Sequence, residues 1–255
     1  MVGVGGDGTT GNIANEILHS GAPIRLGVMP AGTGNDFSKT LGTDGASLDD
    51  VARRAAESGE TRVDVGRVED RFFLNSCGFG FDVSVLQGLA ATPWLTGNAV
   101  YLYTALRQLF QFPGLHVTVE SSASRRERCL HMMTVIANVP HFGGAFVIAP
   151  GASVTDGELD AVTVLDARAG RRLRMLAAAT RGTHARYREV IFERAPEFHI
   201  GFDEPPFYET DGEVHRAAST TLTVRCVPAA LRVVTGDGGL RNDAGRSAPL
   251  VQGQR

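Results

Sequence analysis

The residues of this chain that most directly suggest chemistry are Gly5-Gly6-Asp7-Gly8-Thr9, close to its start. Three glycines in four positions let the backbone turn sharply and let an anion approach without interference from Cβ atoms. Apolar residues then follow at Ile13, Ile17 and Leu18, a helical spacing, so the turn opens a helix. The start of that helix directs unpaired N–H groups at the turn, which suits a phosphate. Thr9 adds a hydroxyl, and Asp7 a carboxylate able to orient a hydroxyl or contact a magnesium ion. Taken alone, the same residues also describe a plain β-to-α turn.

A second turn of this kind follows at residues 30–37, "PAGTGNDF", after the next strand-like run. Two neighbouring βα turns of a doubly wound sheet lie together at the carboxyl ends of their strands, where ligands bind. Thr33 and Asn35 offer hydrogen bonds, and Asp36 brings a carboxylate towards the first turn. The alternative reads Asn35 and Asp36 as helix caps.

These turns need a scaffold. "MVGV" is a strand end, residues 9–20 are a helix closed by Gly21, "PIRLGVMP" is a strand, and Ser47 caps a helix over "LDDVARRAAES" that Gly59 ends. Beyond Val63 the runs become strand-like: "RVDVGRV", "RFFLNSCG", "LHVTVESS", "RCLHMMTVIANV", "FVIAP", "LDAVTVLD", "EVIFER", "EFHIGF", "TLTVRCV" and "LRVVTG". Helical stretches interrupt them at "VSVLQGLA", "AVYLYTALRQLF" and "RRLRMLAAATR". The expected fold is α/β plus β: a truncated doubly wound nucleotide-binding domain over residues 1–62, then a β-rich antiparallel sandwich-like domain over 63–235. Residues 236–255 read as a disordered tail.

Composition narrows the function. A net charge of -3 over 255 residues argues against a nucleic-acid partner. No apolar run is long enough to span a bilayer, and the start lacks a signal-peptide pattern. Cys77, Cys129 and Cys226 have no metal-like spacing and read as reduced thiols of a cytoplasmic protein. The seven histidines form no zinc motif.

With both turns in hand, the chain resembles the diacylglycerol kinase catalytic-domain family, which includes bacterial lipid kinases and sphingosine kinases. "GGDGT", "PAGTGNDF", "FGGAFVIAPGASVTDGELDAVTV" and "ETDGEV" carry the resemblance, in order, to about Gly236. It implies an ATP-dependent lipid kinase with magnesium, acting on a lipid alcohol such as diacylglycerol. It implies nucleotide contacts at Gly5, Gly6, Asp7, Gly8, Thr9, Thr33, Asn35 and Asp36, with Glu213 as general base and Asp7 assisting. It also implies a structural magnesium at Asp156 with the carbonyls of Ser153 and Glu158. Asp64 and Asn75 match family positions near the interdomain cleft. For Asp156 and for Asp211-Gly212-Glu213, an ordinary acidic turn is the competing reading.

Relatives carry an asparagine–glutamate pair where this chain has Gly11 and Asn12, which leaves nucleotide or metal preference open. Relatives also have strands and helices ahead of the first turn, so a misplaced start, or a fragment, is expected. The resemblance further implies a homodimer and transient, peripheral contact with a membrane. The stretch "GNAVYLYTALRQLFQFPG", with Trp94 before it, could touch lipid or pack into the core. An NAD kinase, or an inactive nucleotide- or lipid-binding protein, are the rival functions.

Overall fold

A computed structural model describes residues 1–57, 61–90, 98–236 and 238–241 of the chain. Strand β1 (Val2–Gly5) pairs in parallel with β2 (Arg25–Pro30), Val2 opposite Gly27, and helix α1 (Asp7–Ser20) makes the crossover. Gly21 ends α1 in the left-handed conformation, φ 63°, which costs glycine least. Helices α2 (Asp36–Leu41) and α3 (Leu48–Glu57) follow. At the start of α3 the Ser47 hydroxyl accepts from the Asp50 amide while Asp50 accepts from that of Ser47, a reciprocal cap. Ala14 and Ile17 of α1 and Phe37 and Leu41 of α2 share a buried core with Leu26 and Val28. This is the expected α/β opening, except that α1 starts at Asp7 itself.

The β-rich part runs β3 (Thr61–Val68), β4 (Arg71–Phe73), β5 (Ser76–Gly80), α4 (Phe81–Ala90), α5 (Asn98–Gln111), β6 (Leu115–Ser121) and β7 (Arg125–Ala137). It continues through β8 (His141–Phe142), β9 (Phe146–Val147), β10 (Leu159–Leu165), α6 (Ala169–Ala179) and a 3-10 turn at His184–Arg186. It closes with β11 (Val190–Ala195), β12 (Glu197–Phe202), β13 (Phe207–Thr210), β14 (Glu213–Arg216) and β15 (Thr221–Val233). The main path of the sheet is β1-β2-β15-β12-β6-β7-β5-β13-β14, with β3 and β4 branching from β15 and β10 and β11 from β7. Pairing within the β-rich part is antiparallel, as expected.

Strand β15 joins the two parts. Its first half pairs with β12, and its end pairs in parallel with β2, Val233 opposite Leu26. The sequence suggests two strands here, "TLTVRCV" and "LRVVTG". They are one strand with a register shift between Val227 and Leu231, where Pro228 cannot donate and Ala229 has φ 49°. Conversely, "RFFLNSCG" divides into β4 and β5, "FVIAP" shortens to β9, and the β13–β14 hairpin carrying "ETDGEV" goes unforeseen. Gly59 and Trp94 lie outside the described residues, as do residues 237 and 242–255 of the expected tail. Arg241 is described: its guanidinium donates to Asp44 at 2.8 Å.

Two further cores divide the β-rich part. Phe79, Val117, Ile136, Phe198, Ile200 and Tyr208 fill one. Phe81, Val85, Leu109, Met132, Val162 and Met175 form the other, under α4, α5 and α6. Helix α5 answers its open question both ways. Leu109 and Thr104 are buried, whereas Tyr103, Leu106 and Phe110 are 44%, 41% and 67% exposed along one stripe.

Asp64, in the middle of β3, ties these pieces together. Its amide donates to Val154 O at 2.7 Å, and its carboxylate accepts the amides of Gly157 and Ala229, each at 2.7 Å. It therefore holds the β15 bulge and the 153–158 turn at once. Asp64 is 3% exposed, and Asp64→Ala strands two partly buried donors, the amides of Gly157 and Ala229. We expect a loss of about 3 kcal/mol, read as a lower urea midpoint with unchanged slope. Full retention of stability would contradict the clamp.

Candidate active site

The two glycine turns interlock by backbone contact. Ala31 N donates to Gly5 O at 2.9 Å. A Cβ on Gly32 would stand 2.4 Å from Gly6 Cα, so neither glycine admits a side chain while the other keeps its place. Asn35, at φ 52°, holds the second turn by accepting from Gly32 N and donating to Gly32 O. The cap at Gly6 brings no side chain to the start of α1, and Thr9 and Thr33 are exposed beside it. The first-turn amides of α1 are thus available to an anion.

Asp7 crosses from the first turn to the second. Its Oδ1 accepts from Asp36 N at 2.8 Å, Phe37 N at 3.4 Å and Asn75 Nδ2 at 3.3 Å. Burial, then the charge of Asp36, pushes its carboxyl above the ordinary value. Asp36 is committed differently: Lys39 Nζ lies 2.7 Å from one oxygen, and Gly144 N donates to the other at 3.0 Å. Lys39 also donates to Gly144 O. Asp36 therefore fastens the β8–β9 turn over the site.

The β13–β14 hairpin supplies two further carboxylates with opposite surroundings. Asp211 is buried and accepts the amides of Leu74 and Asn75, which separate β4 from β5, and of Ser76, which opens β5. Burial pushes its carboxyl up to about 7 against the pull of those amides. Glu213 is only half buried, and its Oε1 accepts from Asn12 Nδ2 at 2.7 Å. A Cβ on Gly11 would stand 2.8 Å from Asp211 Oδ2, so the bare Cα makes room for that carboxylate. Both departures from the family pattern, Gly11 and Asn12, thus serve this hairpin.

Beneath the carboxylates lies a cavity of about 260 Å³. Its walls include Leu86, Met132, Phe146, Val164, Met175 and Leu176, and its lining also takes in Asp7, Asp36, Asn75 and Asp211. Sequence reading overlooked two acids here, Asp82 and Glu209, because neither belongs to a glycine turn. A Cβ on Gly78 would strike both, 1.8 Å from Asp82 Oδ2 and 2.7 Å from Glu209 Oε1. Among the described residues neither oxygen of Asp82 has a well-formed hydrogen bond, though the amides of Asp82 and Val83 lie close. Burial pushes the Asp82 carboxyl up to about 7, and burial plus the charge of Asp82 pushes Glu209 well above its ordinary range.

At the turn expected to hold a metal through Asp156 and the carbonyls of Ser153 and Glu158, Ser153 Oγ pairs with Thr155, and Asp156 Oδ1 accepts from Glu158 N at 3.1 Å. The other Asp156 oxygen lies 4.0 Å from Arg194, whose guanidinium also bonds Gly151 O at 2.6 Å and Asp160 at 3.1 Å. Arg194 thus brings positive charge to this acidic turn.

The buried acids make stability depend on pH. The folded protein keeps protons on Asp82 and Asp211 up to about pH 7, whereas the unfolded chain releases them near 3.8. Stability therefore falls as pH rises through that window. Urea midpoints measured below and above it should differ in this sense, and Asp82→Asn should shrink the difference. A midpoint that rises with pH would contradict the assignment.

Comparison with known proteins agrees with this architecture. Residues 1–68 match the diacylglycerol kinase catalytic domain, and residues 75–235 match the YegS C-terminal NAD kinase beta sandwich-like domain. A diacylglycerol kinase of Bacillus subtilis (strain 168) is 26% identical over 220 residues, 84% of this chain and 70% of that protein. The crystal structure of a diacylglycerol kinase from Bacillus anthracis str. Sterne superposes with a TM-score of 0.68 at 18% identity, covering 94% of this chain and 77% of the other. An Archaeoglobus fulgidus NAD kinase in complex with ATP shares the fold at a TM-score of 0.52 and 13% identity, covering 94% and 79%. The interlocked turns, the carboxylate hairpin and the sandwich beneath them belong to one family, and this chain is a member of the bacterial diacylglycerol kinase-like lipid kinases, joining a diacylglycerol kinase catalytic domain to a YegS-type C-terminal β-sandwich.

Proposed function

We propose that the protein transfers the γ-phosphate of ATP to the hydroxyl of a lipid alcohol such as diacylglycerol. One observation carries this reading: an apolar cavity shares its lining with the carboxylates beside two glycine turns and an open helix start. Apolar walls suit an acyl chain, and the helix start suits a polyphosphate.

In this reading the ATP phosphates lie over Gly5–Thr9, with Thr33 and Asn35 beside them. The lipid oxygen attacks the γ-phosphorus, Glu213 accepts its proton, and the bond from that phosphorus to the bridging oxygen breaks to leave ADP. Glu213 suits this role better than Asp211, because three amides occupy Asp211 while among the described residues Glu213 Oε2 makes no hydrogen bond. Asp7 would help hold a magnesium ion accompanying ATP, which supplies charge neutralisation at the phosphates, Asp36 being already paired with Lys39. The fit rests on Asp7, whose carboxyl is raised by burial and then by the charge of Asp36, a charge that a cation relieves.

The lipid must be reached at a surface. No helix among the described residues is long and apolar enough to cross a membrane. The stripe of Tyr103, Leu106 and Phe110 on α5 is exposed, and α5 packs on α6, where Arg172 donates to Leu109 O and Phe112 O. Residues 168–188 hold seven arginines and no acid. We read this face as the part that rests on an anionic bilayer.

Two measurements test the reading. Phosphate transfer from ATP to detergent-dispersed diacylglycerol should fall at least ~100-fold in Glu213→Gln. A fall of less than threefold rejects the assigned base, and a folded wild-type chain that binds ATP without turnover supports an inactive binding protein instead. Co-sedimentation with phosphatidylglycerol vesicles should weaken about tenfold in Phe110→Glu and in the Arg174→Glu/Arg181→Glu double variant. Unchanged binding rejects this face.

A further inference from the structure

We propose that Asn12 is the positioning residue for Glu213, holding one carboxylate oxygen so that the other meets the lipid hydroxyl. This rests on the reading of Glu213 as the base. Three observations carry it. Asn12 Nδ2 lies 2.7 Å from Glu213 Oε1, across 201 residues of chain. Glu213 opens β14 directly after a turn locked by Asp211 at φ 51° and Gly212 at φ 89°, so its backbone is fixed and its side chain is what needs a hold. The adjacent Gly11 admits Asp211, which seats the same hairpin against α1 at the point where Asn12 can reach it.

The consequence is geometric. The open start of α1 and the Asn12 amide stand on one rigid helix, five residues or about 7.5 Å apart along its axis. Phosphate and base are then referred to the same element, and a shift in one carries the other. A carboxylate at position 12, as relatives carry, would face Glu213 with like charge instead. Other groups bear on Glu213 as well. Asp211 lies on the same hairpin and Asp7 on α1. His215, which feels the charge of Glu213, sits among Arg71, Asp70 and Glu69 and bonds Thr210. None of them replaces the Asn12 donor on Glu213.

The experiment measures kcat and KM for ATP in wild-type protein, Asn12→Ala and Asn12→Asp, with Asn12→Gln as the conservative variant. The side-chain ¹³C carboxyl signal of Glu213, assigned by its loss in Glu213→Gln, reports the contact directly. Asn12 is exposed on a helix, and alanine there favours the helix, so the variants keep the fold, checked by thermal melting. The carboxyl signal should move in Asn12→Ala and Asn12→Asp, and kcat should fall about tenfold in Asn12→Ala with little change in KM for ATP. Asn12→Gln should return both towards wild type. A carboxyl signal and a kcat unmoved in both variants overturn the proposal. If the signal moves while Glu213→Gln stays active, the base assignment has failed and the Asn12 contact stands.

Discussion

The site depends on one buried carboxylate. Asp211 takes the amides of Leu74 and Asn75, which lie between the end of β4 at Phe73 and the start of β5 at Ser76, and reaches that of Ser76 itself at 3.4 Å. A side chain thereby does what a sheet ladder cannot, and the break in the strand becomes a fixed feature. From that break Asn75 reaches Asp7 on α1, and Asp211's own hairpin carries Glu213 to Asn12 on the same helix. The nucleotide turn and the hairpin are brought together by this carboxylate and by the bare Cα of Gly11 that admits it.

The glycines of the first turn acquire a second meaning in this light. Their sequence pattern suggests access for a phosphate, and the helix start they open is free to receive one. Yet Gly6 and Gly32 meet each other through their missing side chains, so two turns that each look like a phosphate cradle are also each other's packing surface. That contact, with Asp7 accepting from Asp36 and Phe37, makes the pair a single rigid unit.

Much of this was legible because short-range patterns govern it. Gly21 closing α1, Ser47 capping α3 and the apolar run of "LDAVTVLD" each depend on a few neighbouring residues. What escaped the sequence depends on distance. Asp82 and Glu209 are unremarkable until folding brings both to the space a Gly78 side chain would fill. Pro228 reads as a strand end, but β3 holds the chain on either side of it and Asp64 fixes the bulge between. Asn12 looks like a lost carboxylate until Glu213, from the other end of the chain, arrives beside it.

The arrangement also shows where stability gives way to chemistry. Asp64 and Asp211 are buried acids whose oxygens are taken up by backbone amides, and Asp64 in particular binds three segments into one. Asp82 is buried as deeply with no well-formed hydrogen bond among the described residues, and its charge adds to the cost of ionising Glu209, which takes the Gly212 amide. A cavity lined by Leu86, Met132 and Met175 would hold together better without them. Under-supplied acids at the polar end of an apolar cavity are poor construction and good chemistry, since groups that hold protons near neutrality are able to exchange them there. The sheet tolerates the cost because β15 and the Asp64 clamp bind both halves of the chain independently of the site.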